Sequence, residues 1–415
     1  MKNRYTNKRK IINDPVHGFV TIPSDLIFDL IEHPYFQRLR RIKQLGLTHY
    51  VYPGATHSRF QHTIGALHLM TLALDCLKGK DIAIEAEEEE AVLVAILLHD
   101  IGHGPFSHAL EKSLIEGISH EYLSQLLMKE LNKEFENRLN LAIDIFNNRH
   151  SKKFLHQLVS SQLDMDRLDY IQRDSFFTGV TEGTIGTDRI IKMLNVVHDD
   201  LVVEKKGIYS VEKFLIARRL MYWQVYFHKT VIASEFLLLK MLQRAKTLAE
   251  KGEKLYATPA LEYFLYNTIN AQNLNESLSN SLAQFIRLDD SDIFASAKEW
   301  MYATDRALSI LSKNTMDRIL PKVWITEQPP SEELVHDIRK KIQDFYSFNS
   351  NEADYFMHVG TISNSAFSDR EDMIQIMMNR TETKDISEVS DILNTPYLQR
   401  SETKYYVCFP KECSV

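Results

Sequence analysis

Apolar residues recur at three- and four-residue spacing over long stretches of this chain, with few glycines or prolines between them. Asp25–Ile31, Glu87–Leu98, Glu121–Leu131 and Val211–Ala249 carry the pattern most clearly, and each is predicted to be a helix. The acids Glu87–Glu90 fall in the first turn of the second, where negative charge complements the helix dipole, and they read as a solvated helix start. Breakers are few and clustered. Asn13-Asp14-Pro15 and Pro53-Gly54 mark early loops, and Gly102–Pro105 ends the apolar helix at its polar tip. Pro329-Pro330 marks a boundary. After a short helix at Glu332–Phe345 the pattern shifts toward strands at Tyr355–Thr361, Met373–Met378 and Lys404–Phe409. The expected fold is mainly α: a helical body over residues 1–326, then a small α+β region over 327–415.

Length and composition narrow the field. A chain of 415 residues exceeds what one hydrophobic core usually serves, in keeping with a large body and an appendage. With 44% hydrophobic and 25% charged residues, the composition is that of a globular protein. A net charge of −7 argues against a surface that holds nucleic acid by bulk electrostatics. The longest purely apolar run, Ala91–Leu98, is far short of a membrane span, and the N-terminus is too polar for a secretory signal. Cys76, Cys408 and Cys413 are scattered, and make neither a disulfide framework nor a CxxC site. The expectation is a cytoplasmic protein with no membrane partner.

Seven of the 16 histidines fall between His57 and His120. Taken singly, His68 or His358 reads as a surface or satisfied core histidine. His99-Asp100 differs, because it ends the apolar run Ala91–Leu98 and therefore sits at the tip of a buried helix. An imidazole and a carboxylate there cost several kcal/mol unless they pair or hold a cation. A plain His–Asp hydrogen bond and a metal site both satisfy that demand. Two further segments favour the metal. Thr56–His62 places His57, Arg59 and His62 at a loop or helix start, and Leu163–Asp174 sets Asp166, Asp169, Tyr170, Arg173 and Asp174 on one helix face. Carboxylates, a phenol and a guanidinium together can hold a metal, a sugar and phosphates. Two imidazoles with two carboxylates suit a borderline transition ion better than calcium. Coordination would lower the pKa of a bound water from about 15.7 to about 7, activating it at neutral pH.

Five stretches, in this order, resemble the HD-domain deoxynucleoside triphosphate triphosphohydrolases, which include bacterial dGTPase-like enzymes and the human dNTPase with SAM and HD domains. They are Asn13–Gly18, Phe36–Gly46, Tyr52–His62, His99–His108 and Asp166–Asp174. The resemblance is strong from about Lys10 to Lys229, weaker to about Thr326 and thin beyond. It implies an HD-domain helical body. It also implies one divalent transition metal (manganese, iron, zinc or nickel), with magnesium accompanying the nucleotide, held by His62, His99, Asp100 and Asp166. His103 and the pair His120-Glu121 would supply acid–base chemistry. Arg59, His108 and Arg167 would bind phosphates, as arginine's fork does. Tyr170 and Tyr226 would line the sugar pocket, Asp174 would accept the 3′-hydroxyl, and Gln44 and Leu45 would border base and sugar. The implied products are deoxynucleoside and inorganic triphosphate. An activator nucleotide would bind where subunits of a homodimer or homotetramer meet, near Lys10, Asn13 and His17 and near Glu32, Gln37 and Arg40.

Three other readings fit the same residues. HD sites also hydrolyse nucleoside monophosphates, cyclic nucleotides and alarmones. The fold could also serve as a nucleotide-sensing binding protein without turnover, or as a scaffold for a partner held by residues 331–415.

Overall fold

The computed structural model describes residues 10–106, 110, 113–270, 278–364, 373–393 and 402–414. Helices dominate, and three of them frame the region that carries the histidines. Arg59–Lys78 packs against both Ala86–Leu98 and Met165–Thr178. The first starts where it does because the Gln61 side chain accepts the Ser58 backbone N–H at 2.8 Å. The second starts the same way, with the Glu88 carboxylate accepting the Glu85 N–H at 2.9 Å. From Ala91 to Leu98 every residue of that helix is buried, as its unbroken apolar run requires. The third is capped by Asp164, which accepts the Arg167 N–H at 2.7 Å, and stops at Gly179, whose φ of +76° few other residues adopt.

Arg59–Lys78 and Met165–Thr178 cross at Gly65. A Cβ there would lie 2.0 Å from Asp169 Oδ1 and 2.1 Å from Arg173 Nη2. Glycine at this point lets a polar face of one helix press directly on the backbone of the other.

The helices expected from spacing are present: Asp25–Glu32, Ala86–Leu98, His120–Glu134 and Glu332–Tyr346. The run Val211–Ala249 is not one helix. Ile208–Met221 passes into a π turn at Tyr222–Tyr226, and Lys229–Glu250 begins afresh with the His228 side chain accepting the Thr230 N–H. Apolar spacing continues through the break, so periodicity could not reveal it. A π turn rotates the residues after it, and here it brings the Tyr226 hydroxyl to Asp174.

The body also holds two hairpins. Ile11–Asp14 pairs with Gly18–Thr21, and Leu194–Val197 with Asp200–Glu204. The second turns on His198 and Asp199, both at positive φ, without the asparagine or glycine that usually signals such a turn. Toward the C-terminus, Glu402–Phe409 is the central strand of an antiparallel sheet between Lys322–Thr326 and His358–Asn364. Gln375–Met377 joins Asp200–Glu204 in parallel, so two sheets sew the C-terminal region to the body. No helix among the described residues is long and apolar enough to cross a membrane.

Candidate metal centre

Three helix ends converge on one point. Arg59–Lys78 delivers His62 from its first turn, Met165–Thr178 delivers Asp166 from its own, and His99-Asp100 follows the last residue of Ala86–Leu98. His62 Nε2 lies 3.0 Å from Asp166 Oδ1 and 3.4 Å from His99 Nε2, and His99 Nε2 lies 3.5 Å from Asp166 Oδ1. Donors about 2.1 Å from a shared ion, at octahedral or tetrahedral angles, stand about 3.0–3.4 Å apart. The three atoms therefore fit one divalent cation. Asp100 stands beside them: Oδ1 is 3.4 Å from His99 Nε2 and Oδ2 is 3.9 Å from His62 Nε2. Its oxygens also serve His103 Nε2 at 3.1 Å and Arg59 Nη1 at 2.6 Å.

The other ring nitrogens confirm the orientation. His62 Nδ1 donates to Asp169 Oδ2 at 2.8 Å, and His99 Nδ1 donates to the Ile96 carbonyl at 2.6 Å. With each Nδ1 bonded outward, both Nε2 atoms are turned to the same point, as metal-binding histidines require. Asp169 is itself held by Arg173, which reaches on to Asp14, while His17 Nε2 donates to Asp169 Oδ1.

Protonation follows from this crowding. Burial opposes a proton on His62, but hydrogen bonds to Asp166 and Asp169 outweigh it and push the imidazole up to about 10. The Asp166 carboxyl is lowered, its burial outweighed by His62 and His99. A metal must therefore displace the His62 proton. We expect manganese affinity to rise from about pH 6 to about pH 8, by up to about tenfold per unit for each proton released. Calorimetry in buffers of different ionisation enthalpy reads that proton directly, and a pH-independent affinity would contradict the assignment. His103 moves the other way: burial first, then the Arg59 guanidinium, pushes it down to about 3. Its ring is neutral, donating from Nε2 to Asp100, and it stacks on His120 with centroids 3.8 Å apart. Glu121 is exposed in the first turn of His120–Glu134.

A second wall leads away from the metal group. The Tyr170 ring lies 6.5 Å from that of His62 and 6.4 Å from that of Tyr226. The Tyr226 hydroxyl donates to Asp174 Oδ2 at 2.6 Å, and His57 Nε2 donates to Oδ1 at 2.8 Å. Arg167 Nε is held by the Ser161 carbonyl and by Asp164, leaving the side chain partly exposed. Gln44 Oε1 is buried without a partner among the described residues, and Leu45 is half-buried against the core. His108 lies outside the described residues.

The residues expected near an activator divide. Glu32, Gln37 and Arg40 gather at the surface: Arg40 Nε donates to Gln37 Oε1 at 2.8 Å and its guanidinium stacks 3.5 Å over Phe60, where partial burial lowers its pKa and Glu32 offsets part of that. Lys10 lies over Phe28, and Asn13 is exposed. His17 turns inward to Asp169.

Sequence reasoning placed His57, Asp169 and Arg173 in the candidate constellation without an individual role, and gave none to Asp14, Arg218 or Arg38. Asp169, Arg173 and Asp14 support His62. His57 holds Asp174. Arg218 donates to Gln162 beside Tyr170. Arg38 is fully buried and donates to the carbonyls of Ile101 and His103, both at 2.9 Å, fixing the loop that carries His103. Its partners lie more than sixty residues on, so no local pattern marks it.

Residues 59–174 match the HD domain, and residues 185–263 match the HD-associated region. The chain is 34% identical to the uncharacterized protein YwfO of Bacillus subtilis over 80% of this chain and 75% of that one. It is 50% identical to a phosphohydrolase of Bacteroides thetaiotaomicron with a crystal structure, covering 97% of this chain and 100% of that one at a TM-score of 0.94. A deoxynucleoside triphosphate triphosphohydrolase of Dictyostelium discoideum is 31% identical over 59% of this chain and 51% of its own length. The HD match spans His62, His99, Asp100 and Asp166, described above at the candidate cation site, and extends from Arg59 beside it to Asp174 in the second wall. The chain belongs to the HD-domain family of metal-dependent phosphohydrolases and carries the HD-associated region.

Proposed function

We propose that this HD centre hydrolyses deoxynucleoside 5′-triphosphates to deoxynucleoside and inorganic triphosphate. The observation that carries the reading is the wall of Tyr170, Tyr226 and Asp174 beside the metal group. Two rings and a buried carboxylate suit a deoxyribose: the rings pack on the sugar, and a 2′-hydroxyl would meet bulk rather than a partner. Similarity to the Dictyostelium enzyme supports the same substrate class.

The ion, when bound, supplies an activated water and polarises a phosphoryl oxygen. The chain's residues do the rest. His62, His99 and Asp166 hold the ion, with Asp100 at its side. Arg59, anchored on Asp100, directs its guanidinium toward the phosphates, and Arg167 approaches from the Met165–Thr178 helix. His103, held by Asp100 and stacked on His120, would stand beside the reacting phosphate and orient its neighbours there through a neutral ring. Asp174, fixed by His57 and Tyr226, sets the sugar's position. Glu32, Gln37 and Arg40 form the surface for an activating nucleotide, in a dimer or tetramer.

Phosphorus NMR of the protein with dGTP and manganese tests this. Triphosphate should be the first phosphorus product, with deoxyguanosine in equal amount. Orthophosphate and dGDP appearing first would rule the reading out.

A further inference from the structure

Asp14, His17, Asp169 and Arg173 make a buried cluster that meets the candidate metal centre where Asp169 Oδ2 accepts from His62 Nδ1. We propose that the turn of the N-terminal hairpin latches this centre: His17 and Asp14 are positioning residues that fix, through Asp169 and Arg173, the direction in which His62 presents Nε2. The proposal stands on the metal-binding group and not on the identity of the nucleotide.

The turn is built to aim His17. Asp14 Oδ1 accepts the backbone N–H of both Val16 and His17 at 2.9 Å, Pro15 fixes its own φ, and Gly18 leaves the turn at φ +75°. Asp14 is thus tied to its own turn while both its oxygens accept from Arg173, at 2.8 and 3.2 Å. The His17 side chain, 6% exposed, points away from solvent and donates to Asp169 Oδ1 at 2.6 Å.

Asp169 is saturated. Oδ1 accepts from His17 and from Arg173 Nη2, and Oδ2 accepts from Arg173 Nε and from His62 Nδ1. Four donors fix the carboxylate's rotation, and Gly65 closes over it with no room for water. Without His17, Oδ1 keeps only Arg173, and the carboxylate can turn toward that guanidinium, loosening its hold on His62. Orientation of a metal-binding imidazole by its outer carboxylate is worth about 10- to 100-fold in metal affinity. A hairpin that shifts therefore changes metal affinity, although no residue of it approaches the ion.

The test is manganese(II) affinity, by calorimetry on the full-length chain after chelator treatment, with circular dichroism and melting as folding controls. His17→Leu fills the same space without a donor and should weaken binding about tenfold, whereas His17→Gln keeps a donor and should stay within about twofold of wild type. In an Asp169→Asn background His17→Leu should add nothing. Equal affinities for the leucine and glutamine variants, or losses that add in the double variant, would overturn the latch. Should His17→Leu not fold, Asp14→Asn decides: it keeps the turn's acceptor but weakens the link to Arg173. Several-fold weaker metal binding is expected, and wild-type affinity would overturn the proposal.

Discussion

Asp166→Ala is expected to abolish stoichiometric metal binding and lower turnover by at least about 10³-fold, since a bound ion contributes several kcal/mol to the barrier and each 1.36 kcal/mol is about tenfold. Asp166 Oδ1, 3.0 Å from His62 Nε2 and 3.5 Å from His99 Nε2, is the carboxylate oxygen of the three-donor group, and without it two imidazoles are left with no anionic donor between them. The fold should survive. The Asp166 side chain is 30% exposed in the first turn of its helix, and its charge adds to the burial that raises Asp164 to about 6. Removing it leaves no hole in the core and relieves a like-charge contact. Elemental analysis showing full occupancy in the folded variant would take Asp166 out of the ligand set.

Arg173→Ala should cost stability rather than chemistry alone, about 3–5 kcal/mol, because it strands two buried carboxylates. Arg173 is fully buried and makes four bonds of 2.8 to 3.2 Å to Asp14 and Asp169. The Asp169 carboxyl is held well below the usual range: burial would raise it, and Arg173 with its neighbours overcomes that. A depressed carboxyl stabilises the fold at any pH above its unfolded value near about 4, and the contribution fades as pH falls through the folded value. Without Arg173 the buried Asp169 carboxylate loses its main counter-charge, a loss that taking up a proton relieves. The variant's deficit should accordingly be largest near neutrality and shrink toward about pH 4.5. Urea unfolding at the two pH values measures it, and a neutral-pH loss below about 1 kcal/mol would mean the cluster is not the support described.

What the sequence displayed was local. Ala91–Leu98 reads as a buried helix because its run of apolar residues is unbroken, and His99-Asp100 is conspicuous because it ends that run. Asp166, Asp169, Tyr170, Arg173 and Asp174 share a face by simple i, i+3, i+4 arithmetic, and the structure does turn that face inward. Residues whose role depends on distant partners were not legible. Asp14 reads as a loop breaker in Asn-Asp-Pro, yet it is buried against Arg173, 159 positions away. His17 reads with Asn13 as part of an activator surface, and only the turn geometry shows its ring facing Asp169. The π turn at Tyr222–Tyr226 and the hairpin at His198-Asp199 were hidden for the opposite reason: apolar spacing runs on through the first, and the second lacks the asparagine or glycine that most often marks such a turn.

The central claim is that hydrolysis is carried by one ion held among His62, His99 and Asp166. Titrating manganese into chelator-treated protein, while following bound metal and the rate of dNTP hydrolysis on the same sample, tests it most directly. The account predicts no turnover in the stripped protein and a rate that climbs in proportion to occupancy, levelling at one ion per chain. Full turnover with the metal removed, or a rate that keeps rising after that first site is filled, would contradict it.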